Sequence, residues 1–337
     1  MIDKHLWQGR VDDEDGELGL RFHQKVQSIE DAETSGVMLI GYACDEGVMR
    51  NKGRIGAKNA PSAIRKMLAN LPWHHNNLNL FDAGDISCHD NNLAHAQERL
   101  ATQVQNALVN HHFPVVLGGG HDVAWGSFQG LANHYAKGEK HTPPRIGIIN
   151  FDAHFDLRTP SGSSLNGSSG TPFSQIAEYC QTHAWPFHYA CLGVSRASNT
   201  HALFNKAEAL NVLTIEDIAC QPERFSEISE TLTAFMAGLD VLYLTIDLDV
   251  FPASIAPGVS APATHGVDYA LVERLIRLVC NASDEHGNRK LKLADIAELN
   301  PLFDIDNHTA RLAARLVWTI TRSLSEPPRH IAKGVMR

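Results

Sequence analysis

The chain has 337 residues, of which 43 % are apolar, and a formal net charge of −9 at pH 7. This length and apolar content suit one large α/β domain or two smaller ones. The negative charge argues against nucleic acid as a partner, and no apolar run approaches the roughly 18 residues of a membrane span. The six cysteines include no C-x-x-C pair, so we expect reduced, mostly buried thiols in a cytoplasmic protein.

The first 36 residues are acidic, with nine Asp and Glu against four Lys and Arg. Because charged segments favour solvent, we predict an acidic N-terminal arm over residues 1–36 and a single domain over residues 37–337. The first residues lack the apolar stretch of a secretory signal, so we expect no such leader.

Short apolar runs then alternate with longer stretches of helical periodicity. The predicted strands cover residues 37–42, 80–83, 113–117, 146–151, 189–193, 211–214, 241–246 and 293–297. The predicted helices cover residues 61–70, 93–110, 174–181, 225–237, 269–281 and 309–323. Many of the strands are apolar throughout, which is typical of parallel strands covered on both faces. The pattern therefore predicts a three-layer α/β/α domain with a mostly parallel central sheet of about eight strands.

Polar side chains follow the strand predicted at 146–151. Asp152, His154 and Asp156 stand at every second position, so in an extended chain they share one face. They also follow the carboxyl end of a strand, where open α/β sheets bind ligands. Capping acids beside a structural histidine would be the alternative interpretation.

Two further strand ends carry the same kinds of side chain. Asp247 and Asp249 follow the apolar run at 241–246, and two buried carboxylates on one face repel each other unless a cation binds. Three glycines at 118–120 precede His121 and allow a sharp turn close to a ligand. A phosphate loop is not indicated, because no G-K-[ST] sequence follows these glycines.

The six candidate ligands together offer two imidazoles and four carboxylates. This set exceeds the three protein ligands usual for a catalytic zinc and suits two divalent ions bridged by carboxylates. Because oxygen ligands dominate, we predict two Mn²⁺ ions per chain, although Ni²⁺, Co²⁺ or Zn²⁺ could replace them in a preparation. Two such ions would lower the pKa of a shared water and so supply a nucleophile.

A Gly- and Ser-rich segment at 159–172, TPSGSSLNGSSGTP, follows the first of these strand ends. Eight of its 14 residues are Gly or Ser. It is too short to separate two domains, so we interpret it as a loop that covers the substrate, with a flexible linker as the alternative.

Four sequence blocks resemble the ureohydrolases, the family of arginase and agmatinase: GGGHD at 118–122, DAHFD at 152–156, DLD at 247–249 and ADIAELNP at 294–301. The segment 49–65 also resembles the N-terminal block of that family. The resemblance implies an arginase-like fold, a pair of Mn²⁺ ions and a homo-oligomer, commonly a trimer or hexamer.

The resemblance also implies a role for each candidate residue. The first Mn²⁺ would have four ligands, namely His121, Asp152, Asp156 and Asp247. The second would be held by His154 and Asp249, with Asp152 and Asp247 bridging the two ions. Glu298 would lie beside the amidine-type carbon of the substrate, and Asp156 would pass a proton to the leaving amine.

Departures from arginase narrow the implied substrate. Ser169 stands where arginase has a histidine that shuttles protons, and arginines occur at Arg158 and Arg196. These features resemble the branch of the family that converts N-formimidoyl-L-glutamate and water to L-glutamate and formamide in histidine degradation. Arg158 and Arg196 suit such a dianion through charge-assisted hydrogen bonds, with surface salt bridges as the alternative. Ser169 would hydrogen-bond the substrate or shape the loop.

Three other functions fit parts of the pattern. A family member that acts on a guanidino acid or agmatine would release urea instead of formamide. A protein that kept the fold but lost turnover would only bind metal, yet all six ligands and Glu298 are present. A two-metal phosphoesterase would release phosphate from simple esters, and the four sequence blocks argue against it.

Overall fold

The computed structural model describes residues 3–136, 143–162 and 166–328. The strands in this part of the chain are β1 (Val26–Ser28), β2 (Val37–Ala43), β3 (Leu80–Ser87), β4 (Phe113–Leu117), β5 (Ile146–Phe151), β6 (His188–Val194), β7 (Leu213–Glu216), β8 (Val241–Asp247) and β9 (Leu291–Ala297). The α-helices are α1 (Phe22–Lys25), α2 (Glu46–Arg50), α3 (Ala60–Ala69), α4 (Leu93–Val109), α5 (Val123–Ala136), α6 (Pro172–Thr182), α7 (His201–Ala209), α8 (Phe225–Ala237), α9 (Tyr269–Asn281) and α10 (His308–Leu324).

The strands form one sheet in the order β1-β3-β2-β4-β9-β8-β5-β6-β7. Every pair of neighbours runs parallel. Strands β4 and β5 are consecutive in the chain, but β9 and β8 lie between them in the sheet. The strand order therefore reverses here, and a crevice at the carboxyl ends of these four strands is the expected ligand position.

Each face of the sheet packs against helices through its own apolar cluster. One cluster joins the sheet to α3, α8, α9 and α10, and the other joins it to α4, α5 and α6. Leu39 belongs to the first cluster and Ile40 to the second, because successive side chains of a strand point to opposite faces. The predicted three-layer α/β/α fold is confirmed, with nine strands among the described residues instead of about eight.

The eight predicted strands correspond to β2–β9, and the six predicted helices to α3, α4, α6, α8, α9 and α10. Helices α5 and α7 and the short α1 and α2 were not predicted. In α5, Gly126 and Gly130 lower the helix propensity. These glycines serve packing instead, because a Cβ on Gly130 would lie 2.5 Å from the Ala101 carbonyl oxygen of α4.

The segment before residue 37 differs from the solvated arm that its charge predicts. Trp7 and Phe22 are buried, and β1 pairs with β3 at one edge of the sheet. The Trp7 Nε1–H group donates a 2.7 Å hydrogen bond to Asp82 Oδ2. The net charge of the segment does not reveal the few apolar side chains that attach it to the domain. Its acidic residues are mostly exposed.

The six cysteines are free thiols, and five of them are buried, as the sequence predicts. Burial raises the pKa of several of these thiols, among them Cys180, to about 12. Within the described residues, no helix combines the length and apolar character that crossing a membrane requires.

Candidate metal centre and active site

Four neighbouring strands end beside one another in polar residues. His121 follows β4, Asp247 ends β8 and Glu298 follows β9. The segment from Asp152 to Asp156 follows β5. Because these strands are parallel neighbours, their carboxyl ends bring the candidate ligands to the crevice where the strand order reverses.

The first group of candidate ligands surrounds the His121 ring. Its Nδ1 atom lies 3.0 Å from Asp152 Oδ2, 2.9 Å from Asp156 Oδ2 and 3.2 Å from Asp247 Oδ2. Its Nε2 atom lies 2.9 Å from the Thr245 hydroxyl, which holds the ring with Nδ1 towards the acids. Nδ1 is buried and makes no well-formed hydrogen bond within the described residues. Such a set of converging donor atoms is typical of ligands around a cation.

The second group contains Asp152, His154 and Asp249. His154 Nδ1 lies 2.9 Å from Asp249 Oδ2 and 3.6 Å from Asp152 Oδ1. Asp152 therefore belongs to both groups, with Oδ2 near His121 and Oδ1 near His154. Asp247 falls in the first group alone, so its bridging role stays a prediction.

The carboxylates of both groups are crowded, and three of the four are buried. Asp152, Asp247 and Asp249 are at most 4 % exposed. Burial, together with neighbouring Asp249 and Asp152, raises the pKa of Asp247 well above its usual value. Burial and the Asp152 charge raise the pKa of Asp156 to about 6. Cations at this position would remove the repulsion, and an oxygen-rich set with two imidazoles fits two Mn²⁺ ions.

The backbone at 152–156 does not continue the extended strand that the alternation predicts. Strand β5 ends at Phe151, and Asp156 adopts a left-handed φ of 48°. The His154 N–H group donates a 2.6 Å hydrogen bond to Asp152 Oδ1, which holds the turn. The predicted shared strand face is therefore wrong, because the turn places Asp156 beside His121 and His154 beside Asp249.

Glu298 is buried next to the first group. Its Oε1 accepts a 2.9 Å hydrogen bond from the His121 N–H group, while Oε2 is buried without a partner within the described residues. Burial raises the pKa of Glu298 to about 8. Its backbone adopts a left-handed φ of 66°. A strained residue with an unsatisfied buried oxygen is typical of a functional position.

A polar cavity of about 440 Å³ lies at the beginning of the Gly- and Ser-rich loop. Arg158 lines this cavity, and its exposed guanidinium has no hydrogen-bond partner in the described part of the chain. Ser169 is buried, and its N–H group donates a 3.0 Å hydrogen bond to the Gly47 carbonyl. Residues 163–165 of the loop lie outside the described residues, so its predicted covering of the substrate stays a prediction.

Arg196 has a different environment from Arg158. Its guanidinium forms two hydrogen bonds with Glu216, of 2.9 and 2.5 Å, and lies 4.2 Å from the centre of the Phe204 ring. It does not line the described cavity beside Arg158. The structure therefore shows the surface ion pair that the sequence left open as an alternative, and the substrate-binding role of Arg196 stays a prediction.

Pattern reasoning missed three residues of the site. Thr245 orients His121, and its position inside an apolar strand, two residues before Asp247, was the available signal. Arg50 and Asn51 line the same cavity as Arg158. Their only signal was that they belong to the block that resembles the N-terminal block of the ureohydrolases.

A parallel α/β/α fold with two overlapping groups of candidate metal ligands at its carboxyl edge is typical of a class of metal-dependent hydrolases. The chain belongs to the arginase family, whose model matches residues 35–322.

Individual relatives within this family extend over nearly the whole chain. A formimidoylglutamase from Aliivibrio fischeri is 55 % identical over 331 residues, which cover 94 % of each protein. One from Photobacterium profundum is 52 % identical over 350 residues, which cover 96 % of each. Among solved structures, Trypanosoma cruzi formiminoglutamase with Mn²⁺ superimposes with a TM-score of 0.75 at 25 % identity, covering 88 % of this chain and 97 % of that one. Formimidoylglutamase from Bacillus subtilis has a TM-score of 0.79 at 21 % identity, covering 92 % and 93 %, and supports the fold.

Proposed function

We propose that this chain hydrolyses N-formimidoyl-L-glutamate to L-glutamate and formamide, a step of histidine degradation, with two Mn²⁺ ions. The observation that carries the proposal is the overlap of two ligand groups at Asp152, the residue directly after β5. The cavity lined by Arg158 supports an anionic substrate. Relatives named formimidoylglutamase, at 50–55 % identity over nearly their full length, support this particular substrate.

The two ions would be held by the two ligand groups. The ligands of one ion would be His121, Asp152, Asp156 and Asp247, and those of the other would be Asp152, His154 and Asp249, with Asp247 as a second shared ligand. When bound, the ions supply Lewis acidity and lower the pKa of water, which an amidine carbon requires because it is a poor electrophile.

Two acidic residues would act on the substrate's nitrogens. The Glu298 carboxylate is oriented by the His121 N–H group, so its unsatisfied Oε2 would accept an N–H of the amidine. Asp156 would accept a proton on a carboxylate oxygen and release it to the nitrogen of the departing glutamate. The left-handed backbone at Asp156 aims this carboxylate towards His121, 2.9 Å away.

The substrate's carboxylates would be held at the mouth of the site. Arg158 lies two residues beyond Asp156 and can bind a carboxylate through a fork of two hydrogen bonds. Arg196 would contribute only after releasing Glu216. Ser169 would shape the loop or donate a hydrogen bond, because a hydroxyl without a neighbouring base is a poor general acid.

We also propose that the protein is a cytoplasmic homo-oligomer. The free, buried thiols fit a reducing compartment. Leu302 and Ile305, four and seven residues after Glu298, are 66 % and 68 % exposed, and an exposed apolar surface favours contact with a second copy. Sedimentation of the purified protein as a monomer at micromolar concentration would contradict the oligomeric part of this proposal.

A substrate panel tests the reaction itself. The Mn²⁺-loaded protein is supplied in turn with N-formimidoyl-L-glutamate, L-arginine, agmatine and 4-guanidinobutyrate, and both formamide and urea are measured. We expect equal amounts of formamide and L-glutamate from the first compound and no urea from the others. An Asp152→Asn variant purified in the same way is the control for contaminating activity. A higher kcat/KM for any guanidino compound would overturn the assignment.

A further inference from the structure

The geometry points to Asn51 as a second substrate-binding residue, which holds the same carboxylate as Arg158. This inference rests on the proposed function, because it names the group that shares the task of Arg158. Neither arginase-type ligand spacing nor the charge pattern of the chain singles out this asparagine. It follows from three features of the structure, namely a shared cavity, a glycine between the two side chains and a fixed helix.

Asn51 and Arg158 line the same cavity, and both contact the buried Gly170. A Cβ on Gly170 would lie 2.9 Å from Asn51 Oδ1 and 3.0 Å from Arg158 Cδ. Both side chains therefore lie against the same glycine, and a side chain at residue 170 would displace one of them. Neither the Asn51 amide nor the Arg158 guanidinium has a hydrogen-bond partner within residues 3–136, 143–162 and 166–328, and both residues are exposed. Two free donor groups thus face the same space.

The helix that precedes Asn51 is fixed against the metal centre. Asn51 directly follows α2, and within that helix the Gly47 carbonyl accepts a 3.0 Å hydrogen bond from the Ser169 N–H group. A Cβ on Gly47 would lie 2.0 Å from Asp122 Oδ1, so the helix packs directly on the residue after His121. Asn51 is therefore held at a defined position relative to the candidate ligands.

The two donor groups complement each other on one carboxylate. A carboxylate offers about four lone-pair positions, of which the guanidinium of Arg158 can use two in a planar fork. The amide Nδ2 of Asn51 can donate to another without adding a charge that would repel the arginine. The Arg158 guanidinium, which has no acidic partner among the described residues, and a neutral amide together match the single negative charge of one carboxylate. Arg196, already neutralised by Glu216, lacks this property.

Kinetics of two Asn51 variants give the first test. A hydrogen bond to a charged group corresponds to a factor of roughly 10 to 150 in affinity, so Asn51→Ala is expected to raise KM by about that factor. Its kcat and its Mn²⁺ content should stay close to those of the unmodified protein. Asn51→Asp should raise KM further, because a carboxylate repels the substrate and pairs with Arg158. Asn106→Ala, at an exposed asparagine of α4 that lines a different cavity, is the matched control and should leave KM unchanged.

Substrates that lack one carboxylate separate binding from a structural effect. N-formimidoyl-4-aminobutyrate lacks the α-carboxylate, and N-formimidoyl-2-aminobutyrate lacks the side-chain carboxylate. The increase in KM caused by Asn51→Ala should disappear with one of these substrates and persist with the other. Arg158→Ala should raise KM for the same substrate and not for the other. Equal penalties with all substrates, opposite selectivities or an unchanged KM would overturn the inference. An unmodified protein that released no formamide would overturn the proposed function instead, and this inference with it.

Discussion

The buried Arg65 side chain provides the sharpest test of how the edge of the sheet is held together. Arg65, on α3, is 1 % exposed and donates hydrogen bonds of 2.9 and 2.8 Å to the two oxygens of Asp82 and one of 2.5 Å to Asp85 Oδ1. Trp7 donates to the same Asp82 carboxylate. The Asp82 carboxylate of β3 thus joins Arg65 of α3 to Trp7 of the N-terminal segment.

Replacement of Arg65 by Met keeps most of the buried volume and removes the charge. The carboxylates of Asp82 and Asp85 then lose their cationic partner, and Asp82 is only 3 % exposed. Breaking a buried ion pair in this way costs about 3–5 kcal/mol of unfolding free energy. With an unfolding entropy of about 2.1 cal/mol/K per residue, the 337 residues give about 0.7 kcal/mol/K, so the melting temperature should fall by about 4–7 °C.

Calorimetry at neutral pH, supported by urea unfolding, measures this change. Arg65→Lys should fall between Arg65→Met and the unmodified protein, because an ammonium keeps the charge but lacks the planar fork. Arg145→Ala removes an exposed arginine paired with Asp240 at the surface and serves as the control with little effect. An Arg65→Met protein as stable as the unmodified one would refute the reasoning, because the buried network would then contribute nothing to the fold.

Three further changes test the site and the core. Arg158→Ala should raise KM for N-formimidoyl-L-glutamate roughly 10- to 150-fold with Mn²⁺ content intact, and Arg158→Lys should recover part of the loss; an unchanged kcat/KM would make this arginine a surface residue. Ser169→Ala should lower kcat only a few-fold, because a hydroxyl without a neighbouring base is a poor general acid. A loss of many thousandfold would instead show that the hydroxyl donates a proton. Burial lowers the pKa of His75 from 6.5 to about 3, so the unfolded chain takes up this proton first as the pH falls. The contribution of the neutral, buried His75 to the free energy of unfolding is therefore complete above pH 6.5. It is lost as the pH falls towards 3, at up to about 1.4 kcal/mol per pH unit. Urea unfolding between pH 7 and pH 5 should show a shallower pH dependence for His75→Gln, and identical slopes would contradict the assignment.

The sequence is most informative where apolar strands end in polar side chains. Strand continuity and the acids after β5 and β8 predict both the sheet and the position of the candidate ligands, because parallel strands must end at one edge. The local geometry does not follow from the same pattern. A period of two suggests an extended chain at 152–156, but the left-handed Asp156 replaces it with a turn. A residue other than glycine holds such a conformation only when its surroundings compensate, and those surroundings are remote in sequence.

Long-range contacts explain the other differences between prediction and structure. Arg158 and Arg196 look equivalent in sequence, yet of the two only Arg196 pairs with an acid within the described part of the chain, namely Glu216 from a neighbouring strand. Asn51 is more than 100 residues from Arg158 in the chain and reaches the same cavity only through the packing of α2. Trp7 is buried because its indole finds Asp82 on β3. None of these contacts leaves a local periodicity that could have predicted it.

Titration of the metal-free protein with Mn²⁺ tests the central claim most directly. Bound Mn²⁺ per chain and formamide released from N-formimidoyl-L-glutamate are recorded on the same samples. Two ligand groups that share Asp152 require that activity rises until two ions are bound per chain and then stays constant. Full activity with a single bound ion, or formamide release by the metal-free protein, would contradict a hydrolase that depends on two ions.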